Sequence, residues 1–314
     1  MITLKKWFQF LRLANILIMV MTFYLIRILV LVPYAEFSEI DLVFSDFHFT
    51  ILIIVTALTA SAGNIINDIY DLKIDQINKP NKIFINQIIT ERNAFRLYIL
   101  LNIVSMALIF WVYSQIDWFL IWMYPFGFFL TWSMLWLYSY RYKKSVLRGN
   151  IIVGIFVSFV PWSVCYPELV NALIGKNPYE STFVFTGILY ILFAFVSTIF
   201  REIIKDIEDK DGDAQFGGKT LPIVYGVKKA KRIGQLFGLL LVAMVVFSVI
   251  LLIQSNLIWS AIYGVIVIII PILYIIFRLE KENQKSGFHQ LSQWSKLVML
   301  AGLIFLVVLY FEHY

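Results

Sequence analysis

The acidic residues of this 314-residue chain are concentrated in two short segments with the same pattern. Nine of the 20 Asp and Glu residues lie in segments 68–75 and 202–213. Each segment contains the spacing DxxDxxxD, and the two copies are 138 residues apart. A charged loop rarely produces the same pattern twice by chance, each time at the end of an apolar stretch. We therefore interpret both segments as functional. Their aspartates are Asp68, Asp71 and Asp75, then Asp206, Asp209 and Asp213.

The spacing of these carboxylates indicates metal binding. Residues at i, i+3 and i+7 project from one face of a helix, so each segment would present a stripe of like charges. At a membrane boundary such a stripe is costly unless a cation neutralises it. Oxygen ligands favour Mg²⁺, which takes one or two carboxylates and completes its shell with water and phosphate oxygens. Two stripes on facing helices therefore predict a diphosphate held through Mg²⁺.

Basic and polar residues near the two segments are candidates for binding the rest of a substrate. Positive charge beside a leaving diphosphate stabilises the negative charge that grows as it departs. The candidates for this role are Lys143, Arg201, Lys205, Lys79, Lys82 and Lys219. Asn15, in the first apolar stretch, and Asn64, just before the first acidic segment, are expected to line a cavity.

The rest of the chain is too apolar for a water-soluble domain. Hydrophobic residues make up 61% of the chain, charged residues make up 15%, and the mean hydropathy is +0.82. Soluble domains average about 45–50% apolar and about 25% charged residues. The apolar residues form blocks of about 20, enough to cross roughly 30 Å of hydrocarbon. The single cysteine, Cys165, excludes a disulfide within the chain. The fold class is therefore an all-α polytopic membrane protein held together by helix packing.

Nine transmembrane helices are predicted, in one domain that spans residues 1–314. The constant offset of the acidic segments indicates two four-helix pseudo-repeats, at about 13–147 and 148–285, with a ninth helix at about 290–311. The predicted spans are 13–34, 48–67, 95–113, 118–138, 148–167, 181–200, 230–253, 257–278 and 290–311.

The basic residues predict the orientation of these helices. All but three of the 26 Lys and Arg residues lie in or at the edges of the amino-terminal segment and the loops after even-numbered spans. The positive-inside rule then places the amino terminus and both acidic segments in the cytoplasm, and the carboxyl terminus across the plasma membrane. The net charge of +6 is explained by this topology and by anionic membrane lipid, without a nucleic-acid partner. The sequence leaves the oligomeric state open.

These motifs resemble those of the UbiA superfamily of intramembrane prenyltransferases. Its members carry NDxxDxxxD after the second helix and DxxxD or DxxDxxxD after the sixth, and the resemblance covers nearly the whole chain. It implies two Mg²⁺ ions that bridge an allylic polyprenyl diphosphate, and transfer of the prenyl group to a lipophilic acceptor. The metal ligands implied are Asn67 and the six aspartates, with Asn67, Asp71, Asp209 and Asp213 as the catalytic set.

Further segments are similar to one branch of that family, the digeranylgeranylglyceryl phosphate synthases. The matching stretches are 75–82, 201–213 and 218–223, and Lys143 stands where a family lysine reaches the diphosphate. This resemblance implies a prenylated glycerol phosphate ether lipid as the acceptor. Two departures bear on the acceptor: Lys79 and Lys82 replace the usual arginines, and residues 84–86 replace the usual Pro-Ser-Gly.

Three other functions remain open from the sequence. Within the family, the acceptor could be an aromatic precursor of a quinone. Outside it, internal repeats and intramembrane polar residues are also found in secondary transporters, although those usually have inverted repeats and a site at the membrane midplane. A polyprenyl-lipid binder without catalytic activity is the third alternative. The acids clustered at one membrane boundary favour the prenyltransferase.

Overall fold

The computed structural model describes residues 4–78, 83–115, 118–175 and 180–313, and within these ranges the chain is helical with short connections and no strand. The predicted all-α class is confirmed. In chain order the helices are α1 (Leu4–Phe10), α2 (Leu13–Ser38), α3 (Asp46–Asn78), α4 (Glu91–Ser114), α5 (Trp118–Tyr140), α6 (Arg148–Gly175), α7 (Glu180–Gln215), α8 (Leu221–Tyr225), α9 (Val227–Gln254), α10 (Ile258–Lys281) and α11 (Lys285–His313).

Eight helices in the described part of the chain are long and apolar enough to cross a membrane. They lie in α2, α3, α4, α6, α7, α9, α10 and α11, and each overlaps one predicted span. The remaining predicted span, 118–138, coincides with α5. The count of nine spans and the two four-helix repeats stay predictions.

Two of the long helices contain a π-helical turn just before a proline. In α2 the turn Arg27–Leu31 is π-helical and precedes Pro33, and in α10 the turn Gly264–Ile269 precedes Pro271 in the same way. Proline has no N–H to donate, and its ring clashes with the carbonyl one turn earlier. A π-helical turn changes the pairing there, so each helix continues across the apolar stretch.

The two helices that carry the acidic segments are longer than a bilayer requires. α3 has 33 residues and α7 has 36, so each is about 50 Å long at 1.5 Å per residue. The hydrocarbon layer is only about 30 Å thick. The last turns of α3 and α7 therefore have the length to carry their aspartates beyond the hydrocarbon on rigid helical extensions.

The chain divides into two compact units. The first contains Met1–Tyr24 and Asp41–Lys143, and the second contains Leu25–Ile40 and Lys144–Tyr314. In the first unit α3 packs along α4 and α5, and α1 inserts the fully buried Phe10 into its core. In the second unit α7 packs against α6, α9 and α11 around buried aliphatic residues. Each acidic segment is thus fixed to the core of its own unit.

A glycine allows α7 and α11 to approach closely in the second unit. A Cβ atom at Gly302 would lie 2.5 Å from Cε1 of Phe193. The Tyr190 hydroxyl donates a hydrogen bond of 3.1 Å to the Gly302 carbonyl. Small residues at helix interfaces in membranes permit this kind of backbone contact.

We expect Gly302→Ala to destabilise the protein by about 1–3 kcal/mol, because the rigid Phe193 ring must be displaced. Thermal unfolding of the detergent-solubilised protein measures the change. Gly187→Ala is the matched control, since its Cβ would meet, among the described side chains, only Cys165, at 3.8 Å. Because alanine has a higher helix propensity than glycine, the unfolding midpoint of Gly187→Ala should be unchanged or slightly higher. Equal midpoints for the two variants would contradict the packing described.

Candidate functional site

The end of α3 carries a buried carboxylate that contacts an amide and an ammonium group. Asp71 has a side chain only 5% exposed. The Asn67 amide, one turn earlier, donates a hydrogen bond of 2.7 Å to Asp71 Oδ2. Lys143 forms an ion pair with the same oxygen, and its Nζ donates to Asn67 Oδ1 at 3.4 Å. Three residues that the sequence placed in the site are therefore brought together in the first unit.

Lys143 owes its position to a turn after α5. It lies in the 3₁₀ turn Tyr142–Lys144, which directs the side chain to α3. Burial works to lower the pKa of Lys143, whereas the Asp71 carboxylate and the hydrogen bond to it work to raise it, and the net direction is upward. The ammonium group is therefore charged at neutral pH, as binding to a diphosphate requires.

The first aspartate of the stripe on α3, Asp68, is held by an arginine of the amino-terminal region. Arg12 Nη2 donates to Asp68 Oδ1 at 2.6 Å, and Nη1 donates to Asn64 Oδ1 at 3.0 Å. The predicted cavity residue Asn64 and the predicted metal ligand Asp68 thus share one guanidinium partner. The other predicted cavity residue, Asn15, has an exposed side chain, and its backbone N–H donates to the Arg12 carbonyl at 2.8 Å.

Beside Asp68 and Asp75 lies a small cleft with an apolar wall of Ile83, Phe84 and Ile85. A tight turn forms this wall: Asn86 adopts φ 66°, and its N–H donates to the Ile89 carbonyl at 2.8 Å. Ile85 is buried in the core of the first unit. The segment that departs from the family pattern therefore gives the cleft an apolar wall.

The second acidic segment has a different set of partners. Asp206 accepts a hydrogen bond of 2.9 Å from the Asn150 amide of α6. Arg201 and Lys205, both predicted to bind diphosphate, pair with Glu202 at 2.6 and 3.4 Å. Asp209 is buried and Asp213 is half-buried. In this structure, therefore, the two basic side chains are held by a glutamate outside the DxxDxxxD pattern.

A glycine turn fixes the end of α7 next to Asp213. The Gly218 N–H donates to the Asp213 carbonyl at 2.8 Å, and a Cβ at Gly218 would lie 2.7 Å from that oxygen. Gly217 adopts φ +72°, a conformation that glycine reaches without steric cost. The Lys219 N–H then donates to the Lys144 carbonyl at 2.8 Å, while the Lys219 side chain is exposed. The turn leaves that ammonium group accessible to a ligand.

The sequence-based site was incomplete in three places. Arg12, Asn150 and Glu202 contact the acidic segments and were not among the predicted site residues. The first two lie in stretches where the sequence already showed polar residues near a helix start, and Glu202 lies one and three residues from its partners. Lys79 and Lys82 fall outside the described residues.

The donor atoms present suit Mg²⁺ bound together with a phosphate ligand. Among the described residues, no three His, Cys, Asp or Glu side chains form a ready metal cage. Mg²⁺ does not need one, because it is commonly bound by one or two carboxylates plus substrate phosphates. Asn67 and Asp71 offer adjacent amide and carboxylate oxygens, which are ligands of the right hardness.

Comparison with known proteins gives consistent matches over most of the chain. The model of the UbiA prenyltransferase family matches residues 24–299. The digeranylgeranylglyceryl phosphate synthase of Methanosphaera stadtmanae is 31% identical over 254 residues, covering 79% of this chain and 82% of that protein. In other relatives of the same name the aligned region covers about 60% of their length.

Solved structures show the same fold. One from work on digeranylgeranylglyceryl phosphate synthase in membranes has a TM-score of 0.63 and 26% identity, and the match covers 98% of both chains. A UbiA homologue from Archaeoglobus fulgidus bound to GPP and Mg²⁺ has a TM-score of 0.57 and 15% identity, covering 96% of this chain and 99% of that one.

Proposed function

The chain belongs to the UbiA prenyltransferase family, and we propose that it moves a prenyl group from an allylic polyprenyl diphosphate to a prenylated glycerol phosphate ether lipid. The relatives named digeranylgeranylglyceryl phosphate synthase support this acceptor. The observation that carries the proposal is the buried Asp71, held by Asn67 and Lys143 on the helical extension of α3. A buried carboxylate with an amide and an ammonium neighbour is suited to binding a metal-diphosphate ligand.

Mg²⁺ is the cofactor in this proposal. When bound, it neutralises the diphosphate and the charge that develops there as the C–O bond breaks. The UbiA homologue bound to GPP and Mg²⁺ supports the choice of metal. The proposed ligands of the first acidic segment are Asn67 and Asp71, and those of the second are Asp209 and Asp213, with Asp75 and Asp206 as further acidic groups of their own segments.

The basic residues hold the diphosphate of the donor. Lys143 pairs with Asp71 in the protein alone, and we assign its ammonium group to the diphosphate when the donor binds. Arg201, Lys205 and Lys219 add positive charge at the second acidic segment. The electron pair of the broken C–O bond leaves on the diphosphate, the acceptor hydroxyl forms the new C–O bond, and its proton passes to the released diphosphate.

The membrane placement is part of the same proposal. The apolar helices hold the prenyl chains in the bilayer, and the amino terminus and both acidic segments lie on the cytoplasmic side of the plasma membrane. The concentration of Lys and Arg in the corresponding loops supports this orientation. The diphosphate donor would then enter from the compartment in which Mg²⁺ is abundant.

An acceptor panel tests the proposed reaction. The purified protein in lipid nanodiscs is given labelled geranylgeranyl diphosphate, Mg²⁺ and either geranylgeranylglyceryl phosphate or an aromatic quinone precursor. We expect labelled ether lipid, loss of product with a chelator, and recovery when Mg²⁺ is restored. Labelling of the aromatic compound alone would refute the ether-lipid acceptor, and donor binding without transfer to either would favour a lipid binder.

A further inference from the structure

Arg12 occupies a backbone conformation that side chains normally avoid. Its φ is 53°, in the left-handed region where Cβ crowds the following carbonyl. Its N–H donates to the Gln9 carbonyl at 3.1 Å, ending α1, and its own carbonyl accepts from Asn15 at 2.8 Å, starting α2. A glycine would adopt this conformation without cost, so the contacts of the arginine side chain must offset the strain.

The packing of α1 explains why Arg12 reaches the acidic segment. Phe10 is fully buried in the core of the first unit, and its ring centroid lies 6.1 Å from that of Phe84. With α1 anchored there, the turn at Arg12 directs the guanidinium to Asn64 and Asp68 on α3. The fold therefore directs the Arg12 side chain to α3.

The guanidinium keeps most of its hydrogen-bonding capacity. It has five N–H donors, and in the described part of the chain its hydrogen bonds go only to Asn64 and Asp68. Its side chain remains 37% exposed. A planar guanidinium held on one edge by a carboxylate offers another edge to a phosphate, with little rotamer freedom left to lose.

The position of this group along α3 indicates which phosphate it serves. At 1.5 Å per residue, Asn64 and Asp68 lie about 10 and 5 Å nearer the middle of the helix than Asp71. Arg12, which bridges Asn64 and Asp68, is thus level with Asn67 and on the bilayer side of Asp71. The prenyl carbon that is attacked also lies on the bilayer side of the donor diphosphate, because the prenyl chain extends into the hydrocarbon.

We infer that Arg12 binds the phosphate monoester of the acceptor lipid, and that Asp68 fixes Arg12 instead of ligating metal. This inference rests on the proposed function. In a glycerol phosphate the reacting hydroxyl and the phosphate are only two carbons apart, so holding the phosphate at Arg12 places the hydroxyl toward the donor. Arg12 is accordingly a residue that selects phosphate-bearing acceptors.

Arg12→Gln tests the assignment through acceptor selectivity. The kinetics are measured with a geranylgeranyl glycerol ether with and without its phosphate. We expect the KM for the phosphate lipid to rise at least tenfold, the KM for the donor to change less than twofold, and the preference for the phosphate lipid to fall about tenfold. Asp68→Asn should shift the same preference in the same direction. An equal loss with both acceptors, or a rise in the donor KM alone, would show a structural or donor-binding role.

Arg96→Gln is the matched control, because Arg96 is an exposed arginine of the same unit whose side chain, among the described residues, hydrogen-bonds only to Asn93, at 3.4 Å. It should leave both KM values unchanged. If Arg12→Gln does not fold, Arg12→Lys keeps the charge, removes the fork, and should still lose selectivity.

Equilibrium binding of the two lipids to the wild-type protein separates this inference from the proposed reaction. Tighter binding of the phosphate lipid without transfer would refute the reaction alone. Equal affinity for the two lipids would overturn the role of Arg12.

Discussion

Asp71→Asn is expected to reduce prenyl transfer at least about 100-fold while the protein stays folded. Asparagine keeps the size of the side chain but removes the negative charge that Mg²⁺ requires beside the Asn67 amide. The Lys143 side chain is 29% exposed, so its ammonium group can turn to water when the carboxylate is lost. The fold should therefore lose little stability even though the metal site is disabled.

Initial rates at saturating donor and acceptor, measured across a range of Mg²⁺ concentrations, test this expectation. Asp209→Asn should act in the same way, because Asp209 is the corresponding buried aspartate of the second segment. Asp211→Asn is the control: the Asp211 side chain is 73% exposed, and within the described ranges its ion pair is with Lys210 alone, at 4.0 Å. Unchanged turnover in Asp71→Asn, or an equal loss in Asp211→Asn, would remove the basis for the metal assignment.

Much of the fold could be predicted from the sequence because its signals are local and periodic. The apolar blocks have the length of a membrane helix, and eight helices overlap predicted spans. The DxxDxxxD spacing is meaningful only on a helix, and both segments are indeed helical continuations of apolar stretches. The contact of Asn67 with Asp71 follows from their separation of one turn.

The partners of these aspartates could not be predicted, because they depend on tertiary packing. Arg12 is 56 residues from Asp68, and no periodicity joins them. The contact requires the left-handed turn at Arg12 and the anchoring of Phe10 in the core. Likewise, the sequence placed Arg201 and Lys205 on a diphosphate, whereas the structure pairs both with the adjacent Glu202.

The residues that replace Pro-Ser-Gly at positions 84–86 take their roles from a tight turn at Asn86, which the sequence does not predict. The sequence shows that Phe84, Ile85 and Asn86 stand where the family pattern has Pro-Ser-Gly. It could not show that Ile85 is buried against α3 while Asn86 supplies the positive φ of the turn. The segment gives the cleft near Asp75 an apolar wall of Ile83, Phe84 and Ile85.

Lys143→Gln is expected to lower the rate of transfer by about 100-fold, because the diphosphate loses a cation whose effect grows as the negative charge develops. By transition-state arithmetic this corresponds to about 2.7 kcal/mol. Lys144→Gln is a close control. Its side chain is exposed, and in the part of the chain that the structure describes its ammonium group donates only to the Phe216 carbonyl, at 3.3 Å. We expect its rate to stay within twofold of the wild type, and equal losses in the two variants would indicate a general effect of loop charge.

Lys143→Gln should bind Mg²⁺ more tightly than the wild type, although it transfers the prenyl group more slowly. In the protein without substrate, Lys143 occupies the carboxylate that the metal needs, so the ammonium group and Mg²⁺ compete for Asp71. Removing the lysine leaves Asp71 buried with fewer donors and should cost about 1–3 kcal/mol of stability. Because a ligand of the folded state stabilises it more when it binds more tightly, Mg²⁺ should raise the unfolding midpoint of Lys143→Gln more than that of the wild type. A smaller rise in the variant would mean that Lys143 assists metal binding, and the proposed exchange of Lys143 from Asp71 to the diphosphate would be wrong.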